Sequence, residues 1–443
     1  MENFKVGLVV TGEEVLDTSY GLNIAEKVCK LLKEDEINIF KLNGVVTNFS
    51  KAKEIGEKIK ENKIDALIIL LATFTEDPVT LTLANSIESP VILWAIPEPK
   101  IYEEMEREVS SGSLVGAMMN ASALKKVGKK FIFIYGEVEK VLESLKKAIK
   151  ILYTLKNLKF SRIGLIGSHA PGFYDGSFDE VLLKKTIGIE VVHVDLSILR
   201  KYMENISDEE AKTFSEKTFV EDIDSSKIPI EDIIKETKIF LALKKIIEEY
   251  SLNAITLKCW PEINFSGCLS LSLLSENGIP SGCEGDVNAA ATMLILKYLT
   301  NKPSYFCDIF HINKDKNTLL TYHCGAAAIS LGEKNYRKVL RKHPLGDGIT
   351  IEFPINEGIV TIARLGNING KYRLFITKGE AIKTNQIVRG NPAEIKIPYN
   401  VEDFLNKLIY KGIEHHYLIV HGDFAEEIEQ LCNLMDIEII SIE

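Results

Sequence analysis

The run Ala66-Leu67-Ile68-Ile69-Leu70-Leu71 contains only apolar residues. A continuous apolar strand is typical of a parallel sheet that is covered on both faces, whereas a half-exposed strand alternates apolar and polar residues. The run is also far shorter than the roughly 20 residues that a membrane-spanning helix needs. It therefore predicts a buried strand of an α/β sheet.

Amphipathic helices and further apolar strands lie on both sides of this run. One helix is predicted from about Tyr20 to Glu34, with Ile24, Val28 and Leu31 on one face. The predicted strands of this first unit are Val6–Val10, Ile37–Leu42, Ala66–Leu71, Val91–Trp94 and Phe131–Tyr135. Strands that alternate with helices predict a doubly wound parallel sheet, here assigned to a first domain over residues 1–155.

The alternation begins again in a second predicted domain, residues 156–305. Its predicted strands are Arg162–Ile166, Glu190–Asp195, Ala254–Leu257 and Ile279–Cys283. From residue 306 to residue 443 short strands follow Gly- and Asn-rich turns, which is typical of antiparallel sheet. The predicted fold is α/β, with two doubly wound parallel-sheet units followed by a small antiparallel β-rich C-terminal domain.

Composition excludes several classes of partner. Of the 443 residues, 46% are hydrophobic and 26% are charged, as in an ordinary globular protein, and the net charge is −10. This acidic balance argues against nucleic acid and against an anionic membrane surface as partners. The N-terminus enters a strand directly, without the features of a signal peptide, so we expect a cytoplasmic protein. The seven cysteines contain no CxxC pair and are expected to be small buried residues rather than disulfides or zinc ligands.

Familiar catalytic motifs are missing from the sequence. It contains no GxxxxGK[ST] phosphate loop, no GxGxxG after a strand, no HExxH and no GxSxG. P-loop NTPases, typical dinucleotide enzymes, zincins and common serine hydrolases are therefore not favoured.

Two carboxylates and three histidines, His323 and the adjacent pair His415 and His416, are the candidates for a functional site. Glu284 follows the predicted strand Ile279–Cys283, and Asp308 follows a short apolar segment, so both are expected beyond strand ends, where open α/β sheets bind ligands. Taken singly, each carboxylate can equally be a helix N-cap or a surface residue, and a lone His323 or His416 is usually structural. Together they suit Mn²⁺, although spacing does not show that they converge.

The order of these segments resembles the L-fucose/L-arabinose isomerase family. The stretch Gly282-Cys283-Glu284-Gly285-Asp286 before a helix resembles the family's metal-ligand Glu, and Asp308 matches its second acidic ligand. Glu414-His415-His416-Tyr417 is similar to the arabinose-type ending, where the second histidine is the ligand. His323 resembles a further ligand of that branch. Trp94 resembles an aromatic residue that lines the fucose-type sugar pocket.

The resemblance implies an aldose–ketose isomerase that works through a cis-enediol with Mn²⁺ or another divalent metal. Glu284 and Asp308 would be both metal ligands and the proton-transferring pair, and His416 and His323 would complete the ligand set. Trp94 and Trp260 would bind a monosaccharide, although packing in the core is an equal alternative for both. Family members assemble as trimers or hexamers, so a homotrimer or homohexamer is expected.

The sequence leaves the sugar and the catalytic function open, and it makes one prediction about charge. The loop Thr11-Gly12-Glu13-Glu14 lacks the Arg expected of fucose isomerases, which leaves the sugar undetermined, including a phosphorylated or sulfonated hexose. A non-catalytic sugar-binding regulator with the same α/β fold is the alternative function. Finally, two close carboxylates repel each other, so one of Glu284 and Asp308 is expected to titrate unusually high without metal.

Overall fold

The strand that contains Ala66–Leu71 is buried on both faces, as its composition predicts. The structure, a computed structural model, describes residues 3–98, 111–219 and 223–442. Contacts divide the chain into two units, Met1–Asn157 and Leu158–Glu443. The first unit corresponds to the first predicted domain, and the other two predicted domains lie together in the second unit.

A five-stranded parallel sheet forms the centre of the first unit, in the order β2-β1-β3-β4-β5. Its strands are β1 (Val6–Thr11), β2 (Ile39–Val46), β3 (Ala66–Leu71), β4 (Val91–Ala95) and β5 (Phe131–Tyr135). Its helices are α1 (Ser19–Glu34), α2 (Phe49–Glu61), α3 (Asp77–Asn85), α4 (Ser113–Lys126) and α5 (Val138–Lys159). On one face, Leu67 and Ile69 of β3 belong to the same buried cluster as Ile55 of α2, Leu83 of α3 and Leu124 of α4. Burial of this apolar surface is the main force that holds the helices on the sheet.

A second parallel sheet, in the order β10-β9-β6-β7, opens the second unit. Its strands are β6 (Arg162–Ile166), β7 (Glu190–Val194), β9 (Ala254–Leu257) and β10 (Ser281–Cys283), and the two-residue strand β8 (Ile223–Asp224) pairs elsewhere. Its helices are α6 (Glu180–Thr186), α7 (Leu196–Glu204), α8 (Asp208–Thr218), α9 (Ile230–Glu249), α10 (Cys268–Glu276) and α11 (Val287–Thr300).

The C-terminal part of the second unit is mainly antiparallel. Its strands are β11 (Tyr305–Asn313), β12 (Thr318–Tyr322), β13 (Lys338–Lys342), β14 (Ile349–Glu352), β15 (Gly358–Ile368), β16 (Lys371–Ile382), β17 (Ala393–Lys396), β18 (His416–His421) and β19 (Glu438–Ile440). Its helices are α12 (Val401–Tyr410) and α13 (Ala425–Met435). Strands β15-β18-β11-β12-β17-β16 pair in that order, and β15 also pairs with β16, so these six strands close into a ring. Strands β14, β13 and β8 form a separate small sheet. The pairing of β19 to β16 and of β13 to β8 is parallel.

Helix α11 joins the two parts of the second unit, because it packs on β9 and β10 of the parallel sheet and on β15 and β18 of the ring. The predicted α/β class, with parallel sheets first and an antiparallel β-rich end, is confirmed. Strand β13 was not predicted; its sequence, Lys-Val-Leu-Arg-Lys, has no apolar–polar alternation, and it pairs with β14 and β8. Among the described residues, no helix is both long and apolar enough to cross a bilayer.

Candidate active site

The turn after β10 carries Glu284 at the carboxyl edge of the parallel sheet, as predicted. Glu284 and Gly285 both have left-handed backbone conformations, with φ of +59° and +74°. The carbonyl of Glu284 accepts a hydrogen bond from the N–H of Ala170 at 2.9 Å. A Cβ atom on Gly285 would lie 2.2 Å from the carbonyl oxygen of Ser168, so the loop after β6 packs directly on this turn.

Antiparallel register sets the position of Asp308. It lies inside β11, which continues to Asn313, so the prediction that it follows the end of a strand is wrong: the run of apolar residues ends before the strand does. Asp308 pairs directly with His416 on β18 and with Tyr322 on β12. Because directly paired residues project from the same face of a sheet, the side chains of Asp308 and His416 are neighbours.

His416 brings the two carboxylates together. Its Nε2 lies 3.2 Å from Oε2 of Glu284 and 3.9 Å from Oδ1 of Asp308. The imidazole is buried, and its ring centroid lies 4.4 Å from that of Phe306. Oδ1 of Asp308 is buried without a hydrogen-bond partner, which is an expensive state for a carboxylate oxygen unless another ligand completes its environment.

A second histidine approaches the same carboxylate. Nε2 of His415 lies 3.8 Å from Oε2 of Glu284, and its Nδ1 contacts Oδ2 of Asp175 at 2.5 Å. Both histidines thus pair with an aspartate through Nδ1 and turn Nε2 toward Glu284. The family resemblance selects His416 as the ligand, but His415 also reaches Glu284.

Asp286 and Arg364 lie behind His416. One oxygen of Asp286 accepts the backbone N–H of Ala289 and so caps α11. Its other oxygen lies 2.9 Å from Nδ1 of His416 and 2.8 Å from Nη1 of Arg364. The side chain of Arg364 has no exposed surface. Within the described residues its three guanidinium nitrogens have no hydrogen-bond partner, so its contact with Asp286 is an ion pair without a well-directed hydrogen bond.

These contacts determine how the site is charged. Burial opposes the ionisation of Glu284, but the two imidazoles outweigh it and hold the pKa of Glu284 well below its usual range. Burial likewise opposes the charge on Asp286, yet Arg364 and His416 hold the pKa of Asp286 well below its usual range. Burial lowers the pKa of His416, but its hydrogen bonds to Asp286 and Glu284 prevail and raise it to about 9. Glu284 is therefore not the carboxylate with a raised pKa, because its contacts with His415 and His416 lower it.

The remaining predicted residues have different surroundings. His323 is buried with its Nδ1 unpaired, 5.9 Å from His416 between ring centroids, and burial lowers its pKa. Half-buried Trp260 lies 6.3 Å from Phe173, which meets His415 edge-on at 5.5 Å. Trp94, in the first unit, is fully buried and donates its indole N–H to the carbonyl of Gly136 at 2.9 Å, which is the packing alternative for this residue. Its contact with sugar stays a prediction that this burial does not favour.

The donor set suits a divalent cation. Ligand atoms of Glu284, His415 and His416 lie within 4.8 Å of one another. The unpaired Oδ1 of Asp308 faces the imidazole of His416. Carboxylate oxygens with imidazole nitrogens are a combination that Mn²⁺ and similar ions accept.

Three residues of the site were missed or passed over at the level of sequence. Arg364 had a visible signal, since a charged residue between Ala363 and Leu365 in an apolar strand needs a buried partner. Asp286 could be recognised as a helix cap, but its contact with a histidine 130 residues later could not. The role of His415 depends on Asp175, which lies 240 residues away.

Family models match both ends of the chain. The N-terminal domain of fucose/sulfoquinovose isomerases matches residues 7–159, and the C-terminal domain of L-fucose isomerases matches residues 322–443. The chain belongs to the fucose isomerase family and is an aldose–ketose isomerase, that is, an intramolecular oxidoreductase acting on a sugar. The predicted family and enzyme class are confirmed, and the alternative of a non-catalytic regulator is set aside.

Individual relatives are similar over the full length. Proteins of Priestia aryabhattai and Priestia megaterium, both named sulfoquinovose isomerase, are each 28% identical to this chain and align over 99% of either sequence. A sulfoquinovose isomerase of Alkalicoccus urumqiensis is 29% identical over 86% of each sequence. A solved periplasmic solute-binding protein of Actinobacillus succinogenes, with bound D-allose, aligns with 68% of this chain and 92% of its own, at 12% identity and a TM-score of 0.20. That similarity is too low to support an inference.

Proposed function

We propose that this protein interconverts sulfoquinovose, a sulfonated aldohexose, and the corresponding ketose. The reaction would use a divalent metal, for which Mn²⁺ is the first candidate. The observation that carries the choice of substrate is the similarity to proteins named sulfoquinovose isomerase, over 99% of the chain for two of them and 86% for a third. The loop Thr11-Gly12-Glu13-Glu14 lacks the Arg expected of fucose isomerases, which does not favour L-fucose as the substrate.

The cation would be held by Glu284, Asp308 and His416, with His323 as a possible fourth ligand. The unpaired oxygen of Asp308 and the convergence of Nε2 of His416 on both carboxylates support this set. His415 is the competing ligand, because it also reaches Glu284. A bound divalent cation would polarise the sugar's carbonyl and neighbouring hydroxyl oxygens and stabilise negative charge that develops on them.

The two carboxylates are proposed to move the proton. In the open-chain aldose, a carboxylate of Glu284 or Asp308 accepts the C–H proton from C2 and a cis-enediol(ate) forms. Return of a proton to C1, with transfer of the hydroxyl proton from O2 to O1, gives the ketose. The low pKa of Glu284 keeps its carboxylate ionised across the neutral pH range, so its charge is available to a cation.

Trp260 is the candidate for the apolar wall of the sugar site. It is half-buried, and Phe173 links it to His415 at the edge of the carboxylate–histidine cluster. An aromatic ring in this position can pack against the C–H face of a sugar while the hydroxyl groups face polar groups.

The test is a substrate panel in D₂O. EDTA-treated protein is supplied with Mn²⁺ and with sulfoquinovose, L-fucose, L-arabinose or D-glucose, and the products are followed by NMR. We expect conversion of sulfoquinovose and deuterium at C1 of the ketose. Turnover of only the unsulfonated sugars would disprove the proposed substrate. Full activity of the EDTA-treated protein without added Mn²⁺ would disprove the proposed metal. A product without deuterium would argue against exchange through an enediol.

A further inference from the structure

We infer that Asp286 and Arg364 act together as positioning residues: they fix the ring of His416 so that Nδ1 carries a proton and Nε2 is the nitrogen offered to a cation. The inference rests on the proposed function, because it assumes that His416 is a metal ligand. Neither residue is among the ligands or the proton-transferring carboxylates proposed above.

Every nearby donor around Asp286 is accounted for. Its carboxylate is 1% exposed, so water does not compete for its oxygens. Oδ1 accepts the N–H of Ala289 at 2.8 Å, and Oδ2 faces Nδ1 of His416 at 2.9 Å. An ionised carboxylate can only accept hydrogen bonds, so the contact requires a proton on Nδ1 of His416.

Arg364 stabilises the ionised, buried carboxylate of Asp286. Its Nη1 lies 2.8 Å from Oδ2 of Asp286, and its side chain has no exposed surface. On its other side, Nε lies 3.9 Å from Oε2 of Glu414. A buried charge without a partner costs several kcal/mol, roughly, so the arginine keeps Asp286 ionised in the interior.

Space for this arrangement is left by a glycine on the same strand as Arg364. A Cβ atom on Gly366 would lie 1.9 Å from Oε1 of Glu414. Strand β15 thus carries Arg364 and, two residues later, a glycine that leaves space for the carboxylate of Glu414 beside Arg364. The pair is built into the packing between β15, β18 and the start of α11.

The consequence falls on Nε2 of His416. This nitrogen lies 3.2 Å from Glu284 and 3.9 Å from Asp308, whereas Nδ1 faces away from both toward Asp286. When a histidine binds a metal through one nitrogen, a carboxylate on the other fixes its orientation and tautomer. Asp286 is in the right place to do this for His416.

Asp286→Asn separates this role from that of a helix cap. Asparagine caps helices as well as aspartate does, and its Oδ1 can still accept the N–H of Ala289. Its Nδ2 donor would replace Oδ2 and face two donors, Nδ1 of His416 and Nη1 of Arg364. The proton of His416 would then prefer Nε2, which is the nitrogen that the cation needs.

The experiment measures Mn²⁺ affinity and the protonation of His416 in the full-length protein. Free Mn²⁺ is quantified by EPR during titration at neutral pH. Metal-free protein labelled with ¹⁵N-histidine is examined by NMR above pH 9, where the ring of His416 is neutral and carries a single proton. In Asp286→Asn we expect roughly 10–100-fold weaker Mn²⁺ binding and loss of the protonated Nδ1 signal of His416. Asp195→Asn is the matched control, because Asp195 caps α7 through the N–H of Ser197 and belongs to no part of the proposed site.

The outcomes distinguish the inference from the proposed function. If wild-type protein does not bind Mn²⁺, the proposed metal is wrong and the inference loses its premise. If wild-type binds and folded Asp286→Asn binds equally well with Nδ1 still protonated, the inference is overturned. If the single variant does not fold, Asp286→Asn combined with Arg364→Met removes the unpaired buried charge and gives the same two measurements.

Discussion

Glu284 has a backbone conformation that is unusual for its residue type. Non-glycine residues with φ near +60° pay about 1–2 kcal/mol, and Glu284 is followed by a glycine that is also left-handed. The two residues turn the chain from the end of β10 into α11 within a few positions. The turn directs the carboxylate toward His415 and His416, so the local strain serves the geometry of the site.

Replacement of Glu284 by Gln tests its double role. The amide keeps the size of the side chain but removes both the charge that would bind a cation and the group that accepts the C–H proton. We expect turnover to fall by at least about 10²–10⁴-fold with saturating Mn²⁺, measured as kcat by NMR or a coupled assay. Glu248→Gln, on the exposed side of α9, is the control for the substitution itself. A Glu284→Gln enzyme with a near wild-type rate would contradict the assignment.

Gly285 is predicted to be irreplaceable because of its neighbour and not only because of its φ. Gly172 has a similar φ of +83° but nothing within 4 Å of an added Cβ, whereas a Cβ on Gly285 would meet the backbone of Ser168. Gly172→Ala should lower the free energy of unfolding by about 1 kcal/mol, and Gly285→Ala by roughly a further 1–3 kcal/mol. Urea unfolding measures both changes.

The same two variants, Gly285→Ala and Gly172→Ala, also test how the turn at Gly285 affects Mn²⁺ binding. Gly285→Ala has to displace either Ser168 or Glu284, so it should also weaken Mn²⁺ binding, while Gly172→Ala should not. Equal stability and equal affinity of the two variants would show that the close approach of the two loops is unimportant.

At the scale of elements, Glu236 connects three segments of the second unit. It lies on α9, and its buried carboxylate accepts the N–H of Gly267 at the start of α10 and the N–H of Ile349 at the start of β14. Burial raises the pKa of Glu236 to about 7, although the backbone donors partly offset it. The junction is therefore held by a carboxyl group that gains charge near neutral pH.

Glu236 should make stability depend on pH. Its pKa is higher in the folded than in the unfolded protein, so the folded state binds the extra proton between about pH 4.5 and about 7. Stability from this group is fully present below the unfolded pKa and is lost as the pH rises through about 7. The loss amounts to roughly 3 kcal/mol for a pKa that rises from 4.5 in the unfolded chain to about 7 in the folded protein.

The comparison of wild type with Glu236→Gln isolates this contribution, because the neutral amide can still accept through one oxygen. Urea unfolding at pH 5 and pH 8 should show that wild type loses stability relative to the variant at the higher pH. Glu231→Gln, on the exposed surface of the same helix, should show no such difference between the two pH values. A pH-independent gap between wild type and Glu236→Gln would refute the prediction.

At the scale of the whole molecule, the chain combines two parallel sheets with an antiparallel ring, and the site lies within the second unit. Assembly into a trimer or hexamer is implied by resemblance to the family and stays a prediction, as does a cytoplasmic location. Light scattering after size exclusion should give three or six times the mass of one chain. A monomeric mass at micromolar concentration, with full activity, would contradict this expectation.

Much of the fold was predictable from local pattern. Apolar runs such as Ala66–Leu71 and Ala254–Leu257 define buried parallel strands because both faces must avoid water, and this pattern is visible within a few residues. The place of Glu284 after β10 followed from the same rule. Asp308, His323 and His416 were candidates by position or residue type, and only the family resemblance predicted them as ligands rather than structural residues.

Only the tertiary structure showed how these residues meet. The register of β11 against β18 places Asp308 beside His416, and the packing of α11 on the ring brings Asp286 to Arg364. Such contacts join residues that are 78 or more positions apart, and they are selected by burial, charge compensation and strand register together. The sequence therefore determined the layers and the chemical types at the site, while tertiary packing decided which carboxylate faces which histidine.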